Sequence, residues 1–374
     1  MNETIYRPGL EGIVAGQTSI SSIADGLRYR GYPIEQLAQH SSFEEVAYLV
    51  LHGELPTQGQ LDQFRNQIGQ AMELPEEITA TLRSIPPGVP MMDVMRTGAS
   101  LLGHWDEQAQ DISTEATLAK AVRLVARLPL VMCYRHRLRQ GQQVVPPRKD
   151  QSLAYNILWM LRDQEPQPDH VRALDVTLIL YVEHEFNAST FTARVVASTL
   201  SDLHSAVTAA IGALKGPLHG GANERVLDYL LKLRSPEEAA QWVGQALQRK
   251  ERIMGFGHRV YRTGDPRAAI LAPYCEQLAA QTGNQPMEAV AARIEQEVRQ
   301  QKNIPPNVDY PAGRLYYYLG LAVDLYTPLF VISRTVGWSA HVLEQQAANR
   351  LIRPRARYVG AQPRDYVPLE QRRE

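Results

Sequence analysis

Ser42-Phe43-Glu44-Glu45-Val46-Ala47-Tyr48-Leu49-Val50-Leu51-His52-Gly53 decides the character of this chain. Ser42 and Glu45 stand at capping-box spacing, where a hydroxyl and a carboxylate three residues on satisfy the free N–H groups of a helix start. Val46, Leu49 and Val50 follow at helical spacing, and Gly53 suits the left-handed residue that closes a helix. Upstream the pattern differs. Thr18, Ile20, Leu27, Tyr29 and Tyr32 are interrupted by Gly12, Gly16, Gly26 and Gly31, which predicts short strands or hairpins. Downstream the helical pattern continues almost to the end. It predicts a helix over 57–72, another over 114–139 broken at Pro129, and one capped by Asp150 that carries Leu153, Ile157, Leu158 and Leu161. Asp202 is the expected cap of an Ala-rich helix ending at Gly216-Pro217. Ser235-Pro236-Glu237 opens a helix toward Lys250, and 311–325 and 329–350 close the series. The fold class expected is mainly α, with a small β element near the N-terminus. Strands do not alternate with helices, and neither GxGxxG nor GxxxxGK[ST] occurs, so dinucleotide and P-loop binding have no support.

The chain has 374 residues, of which 44% are hydrophobic and 21% charged, as in ordinary globular proteins. A net charge of −1 gives no reason to expect nucleic acid or an anionic membrane as partner. An anionic ligand must therefore be held by local arginines. Cys133 and Cys275 lie far apart without a CxxC, which disfavours a disulfide framework and fits a reducing, cytoplasmic setting. The start, MNETIYRPGLEG, lacks the basic and apolar regions of a signal peptide, and no apolar run approaches the ~20 residues of a membrane span.

Four segments set ionisable groups among glycines at helix ends, where backbone can approach a ligand and offer free N–H groups. They are Glu183 to Ser189, Gly216 to Glu224, Gly255 to Arg267, and Asn307 to Tyr310. Taken singly, His219 reads as a turn histidine, Asp309 as a helix cap, and His184 as a core histidine after an apolar stretch. His258, flanked by Arg259, suggests an anion site unaided. Arg334 inside an apolar helix demands a counter-charge or an anionic ligand. The histidines lack HxxxH or HExxH spacing, so no metal is expected.

Together, GPLHGGANE (216–224), GFGHRVYRTGDPR (255–267), NVDYPAG (307–313), ISRTVGW (332–338) and NRLIRPRARYVG (349–360) resemble the citrate synthase family in order and spacing. GLEGIVAGQTSIS, YRGYPIEQLA and SFEEVAYLVLHGELP near the N-terminus add to the resemblance, which runs from about residue 9 to the last few residues. It implies a two-domain helical fold, with 1–215 and 321–374 forming a large domain and 216–320 a small one. It implies condensation of acetyl-CoA with oxaloacetate and water to citrate and CoA, with the thioester as co-substrate and no resident cofactor. Asp309 matches the family's base, His219 the enol stabiliser, and His258 the acid. His184, Arg267, Arg334 and Arg353 match the oxaloacetate set, with Arg353 donated across a homodimer that can assemble further. Arg262, the turn of Gly255, Phe256 and Gly257, and Asn187 and Ser189 are the candidates for CoA. The chain lacks the β-rich N-terminal region of large NADH-regulated forms, so regulation of that type is not expected. Two alternatives stay open: a 2-methylcitrate synthase using propionyl-CoA, and an inactive helical scaffold. One methylene gives only about 1–3 kcal/mol of discrimination, so motifs do not separate the two thioesters.

Overall fold

The computed structural model describes residues 6–258, 260–261 and 264–372. Three two-residue strands come first: β1 (Ser21–Ser22), β2 (Arg28–Tyr29) and β3 (Tyr32–Pro33). They form an antiparallel sheet with Ser21 opposite Tyr29 and Arg28 opposite Pro33. The expected N-terminal hairpins are therefore present, each strand only long enough for one turn of pairing.

Ten helices follow: α1 (Ile34–His40), α2 (Phe43–His52), α3 (Gln58–Ala71), α4 (Glu76–Ser84), α5 (Met91–Leu102), α6 (Thr114–Leu138), α7 (Leu153–Arg162), α8 (Pro168–Tyr181), α9 (Ala188–Ala197) and α10 (Leu203–Lys215). In α2 the Ser42 hydroxyl accepts from the Glu45 N–H, and Gly53 ends the helix at φ +97°. The reciprocal half of the box is absent, because the Glu45 carboxylate accepts from the Ser41 hydroxyl at 2.6 Å instead. Asp202 caps α10 as expected. Two expectations fail. Ser152, not Asp150, caps α7. And α6 runs unbroken through Pro129. Proline removes one hydrogen bond and crowds the preceding turn, but α6 is packed against α3, α4, α5, α7 and the last helix of the chain. Burial of Leu124, Val125, Leu128, Leu130 and Val131 around the proline outweighs that local cost.

The next five helices are α11 (Ala222–Leu230), α12 (Pro236–Gln248), α13 (Pro266–Thr282), α14 (Gln285–Lys302) and α15 (Asp309–Tyr318). They pack mainly on one another: α12 on α14, and α11 and α13 on α15. Ser235 caps α12 with Pro236 at its first turn, as the sequence indicates. α15 starts two residues before Pro311 and stops at Tyr318, short of the expected 325.

The last helix, α16 (Tyr326–Ala347), is buried almost all round from Tyr326 to Val342 and packs on α6, α8, α9 and α10. A helix buried on every side belongs at the centre of a large core. Phe330 is its one half-buried residue between Tyr326 and Val342, and it faces the site. No described helix is long and apolar enough to cross a membrane. Both cysteines are buried and free.

Candidate active site

The turn after α10 carries His219 back toward α11, with Gly221 at φ +76° taking the left-handed conformation that a side chain would resist. His219 Nε2 faces Ser189, whose backbone N–H donates to it at 3.3 Å and whose hydroxyl lies at 2.8 Å. A backbone N–H can only donate, so Nε2 carries the lone pair and the ring proton sits on Nδ1. The Ser189 hydroxyl accepts from Trp338 Nε1 at 3.1 Å and has a single proton to give, with His219 Nε2 and Asn187 Oδ1 both within 2.8 Å as acceptors. Burial, then the charge of Arg334, pull the His219 pKa down to about 4. The ring is neutral at pH 7, with Nδ1–H as its free donor.

His258 obeys the same logic with the nitrogens exchanged. Its Nδ1 accepts from the N–H groups of Val260 and Tyr261 at 3.1 and 3.3 Å. The proton therefore sits on Nε2. Burial, then Arg267, lower its pKa. The turn bearing it is tied to the segment before α15. Gly257 N–H donates to the Pro305 carbonyl, Asn307 N–H to that of Gly255, and the Asn307 side chain to that of Gly257, all at 2.9 Å. This is the work of Gly255 and Gly257 in the fold, at φ +86° and +78°, while the Phe256 ring packs tilted against Tyr310 at 4.6 Å. The same ties bring Asp309 to His258's side of the cleft.

Asp309 is the first residue of α15, not its cap; Val308 holds that position and offers no capping side chain. The Asp309 carboxylate accepts instead from the Tyr181 hydroxyl at 2.7 Å. Its pKa is raised by burial, against the opposing pull of the Tyr181 hydrogen bond and Arg267. The helix N-terminus favours its ionised form.

His184 follows α8. Its ring centre lies 5.0 Å from that of His258, and Nε2 is 3.1 Å from the Tyr261 hydroxyl. Burial, then Arg267, push its pKa well below the usual histidine range, so it too is neutral. The two buried arginines differ in what they leave free. Asp265 engages Arg267 at Nε (2.9 Å) and Nη2 (2.8 Å), leaving Nη1. Arg334 donates Nε to the Tyr181 carbonyl at 2.7 Å and lies over the Phe330 ring at 4.6 Å. Both its terminal nitrogens are without a hydrogen bond among the described residues, a fork open to a carboxylate. The counter-charge that the sequence demands is Glu183, fully buried, which accepts from His341 Nε2 at 2.9 Å and keeps a lowered pKa through His341 and Arg334 despite burial.

Fully buried residues thus form the backing: Tyr181, Glu183, Ser189, Arg334 and Trp338. The half-buried faces of His184, His219, His258 and Asp309 line the cleft before them. Two expected members stand apart. Arg353 is exposed on the single chain, with no hydrogen bond or ion pair to the cluster among the described residues. Arg262 lies outside the described residues. An open cavity of about 940 Å³ adjoins the cluster, lined by Thr18, Ser21, Ser22, Glu185, Tyr261 and Asp265 among others. Sequence reasoning missed two members of the backing: Tyr181 and Trp338 sit in apolar runs and carry no signal apart from a phenol or indole at helical spacing from His184 and Arg334.

A half-buried carboxylate, neutral imidazoles offering N–H donors and buried guanidinium groups form an arrangement chemically able to hold an acidic substrate and move protons. Known proteins narrow the class. The family model described as citrate synthase, C-terminal domain, matches residues 9–355. Citrate synthase 2 of Bacillus subtilis is 46% identical over 366 residues, covering 97% of this chain and 98% of its own. A 2-methylcitrate synthase of Shewanella oneidensis is 44% identical, covering 97% of each. A solved citrate synthase of Thermoplasma acidophilum, in ternary complex with carboxymethyl coenzyme A and oxaloacetate, superposes with a TM-score of 0.91 at 32% identity, covering 98% of this chain and 99% of that one. The chain belongs to the citrate synthase family. It is an acyltransferase of the citrate synthase type in the all-α fold of that family.

Proposed function

We propose that this enzyme condenses acetyl-CoA with oxaloacetate, and that the tautomers of its two cleft histidines carry the reaction. The methyl of a thioester is a very weak carbon acid, so a carboxylate base needs a partner at the carbonyl oxygen. Asp309 removes the methyl proton while His219 Nδ1–H donates to the thioester oxygen, giving an enol. The enol carbon attacks the ketone carbon of oxaloacetate, the enol O–H proton returning to His219 Nδ1 as His258 Nε2–H delivers a proton to the ketone oxygen. Water then cleaves the citryl thioester to citrate and CoA. Each proton transfer of the condensation is assigned to a side chain, and the reaction draws on no resident cofactor. Arg334 presents two free nitrogens and Arg267 one to the oxaloacetate carboxylates, with His184 beside them. Asn187 and Ser189 hold His219, which gives them a role behind the thioester as well as the expected one near CoA.

The single observation that carries this reading is the pair of imidazoles met by backbone N–H groups, Ser189 N–H at His219 Nε2 and Val260 and Tyr261 N–H at His258 Nδ1, which leaves Nδ1–H on His219 and Nε2–H on His258 as the free donors. Release of free thiol from acetyl-CoA, dependent on oxaloacetate, tests it directly. A folded protein that releases none refutes it. The 44% identity to a 2-methylcitrate synthase supports a second thioester, propionyl-CoA. The ratio of kcat/KM for the two thioesters decides, and acetyl-CoA is expected to be the better. An inactive scaffold would tolerate Asp309→Asn; the enzyme should lose at least about 100-fold in kcat while keeping its native mass.

We place 216–320 as a smaller domain that closes on the larger, since α11–α15 pack mainly among themselves. We place Arg353 in the cleft of a partner subunit. Support comes from the exposed segment after α16, where Leu351, Tyr358, Val359, Tyr366 and Leu369 stand open on the single chain. Native mass measurement at low ionic strength tests the homodimer and any higher assembly. Two free, buried cysteines suit a reducing compartment such as the cytoplasm.

A further inference from the structure

Tyr181 is the last residue of α8, and it touches both halves of the chemistry. Its hydroxyl donates to Asp309 Oδ1 at 2.7 Å. Its backbone carbonyl, one of the free carbonyls at a helix end, accepts from Arg334 Nε at 2.7 Å. The ring has little freedom. It lies 4.7 Å from the Phe330 ring, the same ring that carries the Arg334 guanidinium at 4.6 Å and lies 6.4 Å from the His219 imidazole. We propose that Tyr181 is the positioning residue of the base: the hydroxyl pins one oxygen of Asp309 while the carbonyl pins Arg334, so one residue sets the base against the guanidinium that holds the acidic substrate. This rests on the roles given above to Asp309 and Arg334.

The two anchors belong to helices that pack mainly in different groups. Asp309 begins α15, which packs on α11 and α13, whereas Tyr181 and Arg334 belong to α8 and α16, which pack on each other. Without the hydrogen bond, nothing among the described residues ties the Asp309 carboxylate; its backbone N–H alone is held, by Asn307 Oδ1 at 3.0 Å. Oδ2 stays free, so the pinned oxygen orients the reactive one. The phenol is a pure donor here, because burial, then the neighbouring Asp309 charge, push its pKa well above the usual tyrosine value. The remaining charges facing Asp309 are Arg267 and Asp265 at the start of α13 and Arg334 on α16, with the buried Tyr316 phenol on its own helix.

Tyr181→Phe keeps the ring and deletes only the donor. The carboxyl band of Asp309, assigned by its loss in Asp309→Asn, is followed by infrared titration in both proteins. A lost hydrogen bond to a charged group should move the Asp309 midpoint up by about one to two pH units. The acid limb of kcat/KM should move the same way. At pH 8 kcat should still fall about tenfold or more from lost orientation, with KM for oxaloacetate within about twofold, since the carbonyl contact to Arg334 remains. A Phe variant with unmoved midpoint, unmoved acid limb and wild-type kcat overturns the proposal. Should Tyr181→Phe fail to fold, 3-fluorotyrosine at 181 serves: its more acidic phenol is a stronger donor and should lower the midpoint, and a rise or no change overturns the proposal. The infrared midpoint needs no turnover. A shifted midpoint in a protein that releases no CoA would sink the condensation reading and leave the Tyr181–Asp309 coupling standing, so the two failures are distinguishable.

Discussion

Gly313→Ala is a perturbation whose sign separates two opposing effects. Gly313 lies inside α15, one turn after Asp309. On helix propensity alone, alanine should stabilise the protein by about 1 kcal/mol. But a Cβ at Gly313 would lie 2.6 Å from the Asn223 carbonyl oxygen and 2.9 Å from Leu227 Cδ2. Both belong to α11, the helix that follows His219. The carbonyl is backbone and cannot rotate away, so α11 and α15 must separate by about 0.8 Å to reach ordinary contact in a close-packed interior. Overpacking of this kind costs about 1–3 kcal/mol, occasionally more, so the steric term should win. The same displacement moves Asp309, the proposed base, relative to His219, the proposed enol stabiliser, and a misplacement near 1 Å can cost about 100-fold in rate. The assay is paired: urea midpoint, and kcat with saturating acetyl-CoA and oxaloacetate. Gly244→Ala in α12 is the internal control, since its Cβ would meet nothing within 4 Å, and it should show the propensity gain alone. A Gly313→Ala protein more stable than wild type, with unchanged kcat, would refute the tight α11–α15 approach and the argument that it sets the distance from Asp309 to His219.

Three further outcomes are expected. Ser189→Ala leaves the buried Trp338 indole N–H without its acceptor, which should cost about 1–3 kcal/mol in urea unfolding. The backbone N–H of residue 189 still fixes the His219 tautomer, so kcat should fall by about tenfold rather than collapse. Stability should decline on acidification. His219 has a folded pKa of about 4, below its unfolded value of about 6.5, so the unfolded state binds more protons between these limits and stability rises with pH across that window. The contribution of His219 to this loss is on the order of 1–3 kcal/mol, given its partial exposure. His219→Gln should flatten the acid limb of a urea-midpoint profile, and an unaltered limb would show that the ring does not titrate as its surroundings require. Finally, Asp265→Asn should raise KM for oxaloacetate more than it lowers kcat, because Asp265 holds Arg267 at two nitrogens and the Val308 N–H at 3.1 Å.

The helical class, the N-terminal hairpins, the caps at Ser42, Asp202 and Ser235, and the end of α2 at Gly53 were legible because each depends on a few neighbouring residues. The ordered motifs likewise put His219, His258 and Asp309 in view as one set, and the resemblance they carry added His184. What the sequence left ambiguous was anything settled by a distant partner. Pro129 should have broken α6 by local rules, and packing on five helices overrode them. Asp309 reads locally as a cap, because nothing near it in sequence shows the Tyr181 hydroxyl waiting 128 residues away. The counter-charge of Arg334 was demanded by elementary electrostatics, but only the fold shows that it is Glu183. The proton positions on His219 and His258 are the sharpest case. The residue type determines that an imidazole can carry its proton on either nitrogen. Which nitrogen carries it depends on the N–H groups that the backbone aims at the ring, and only the tertiary structure decides that.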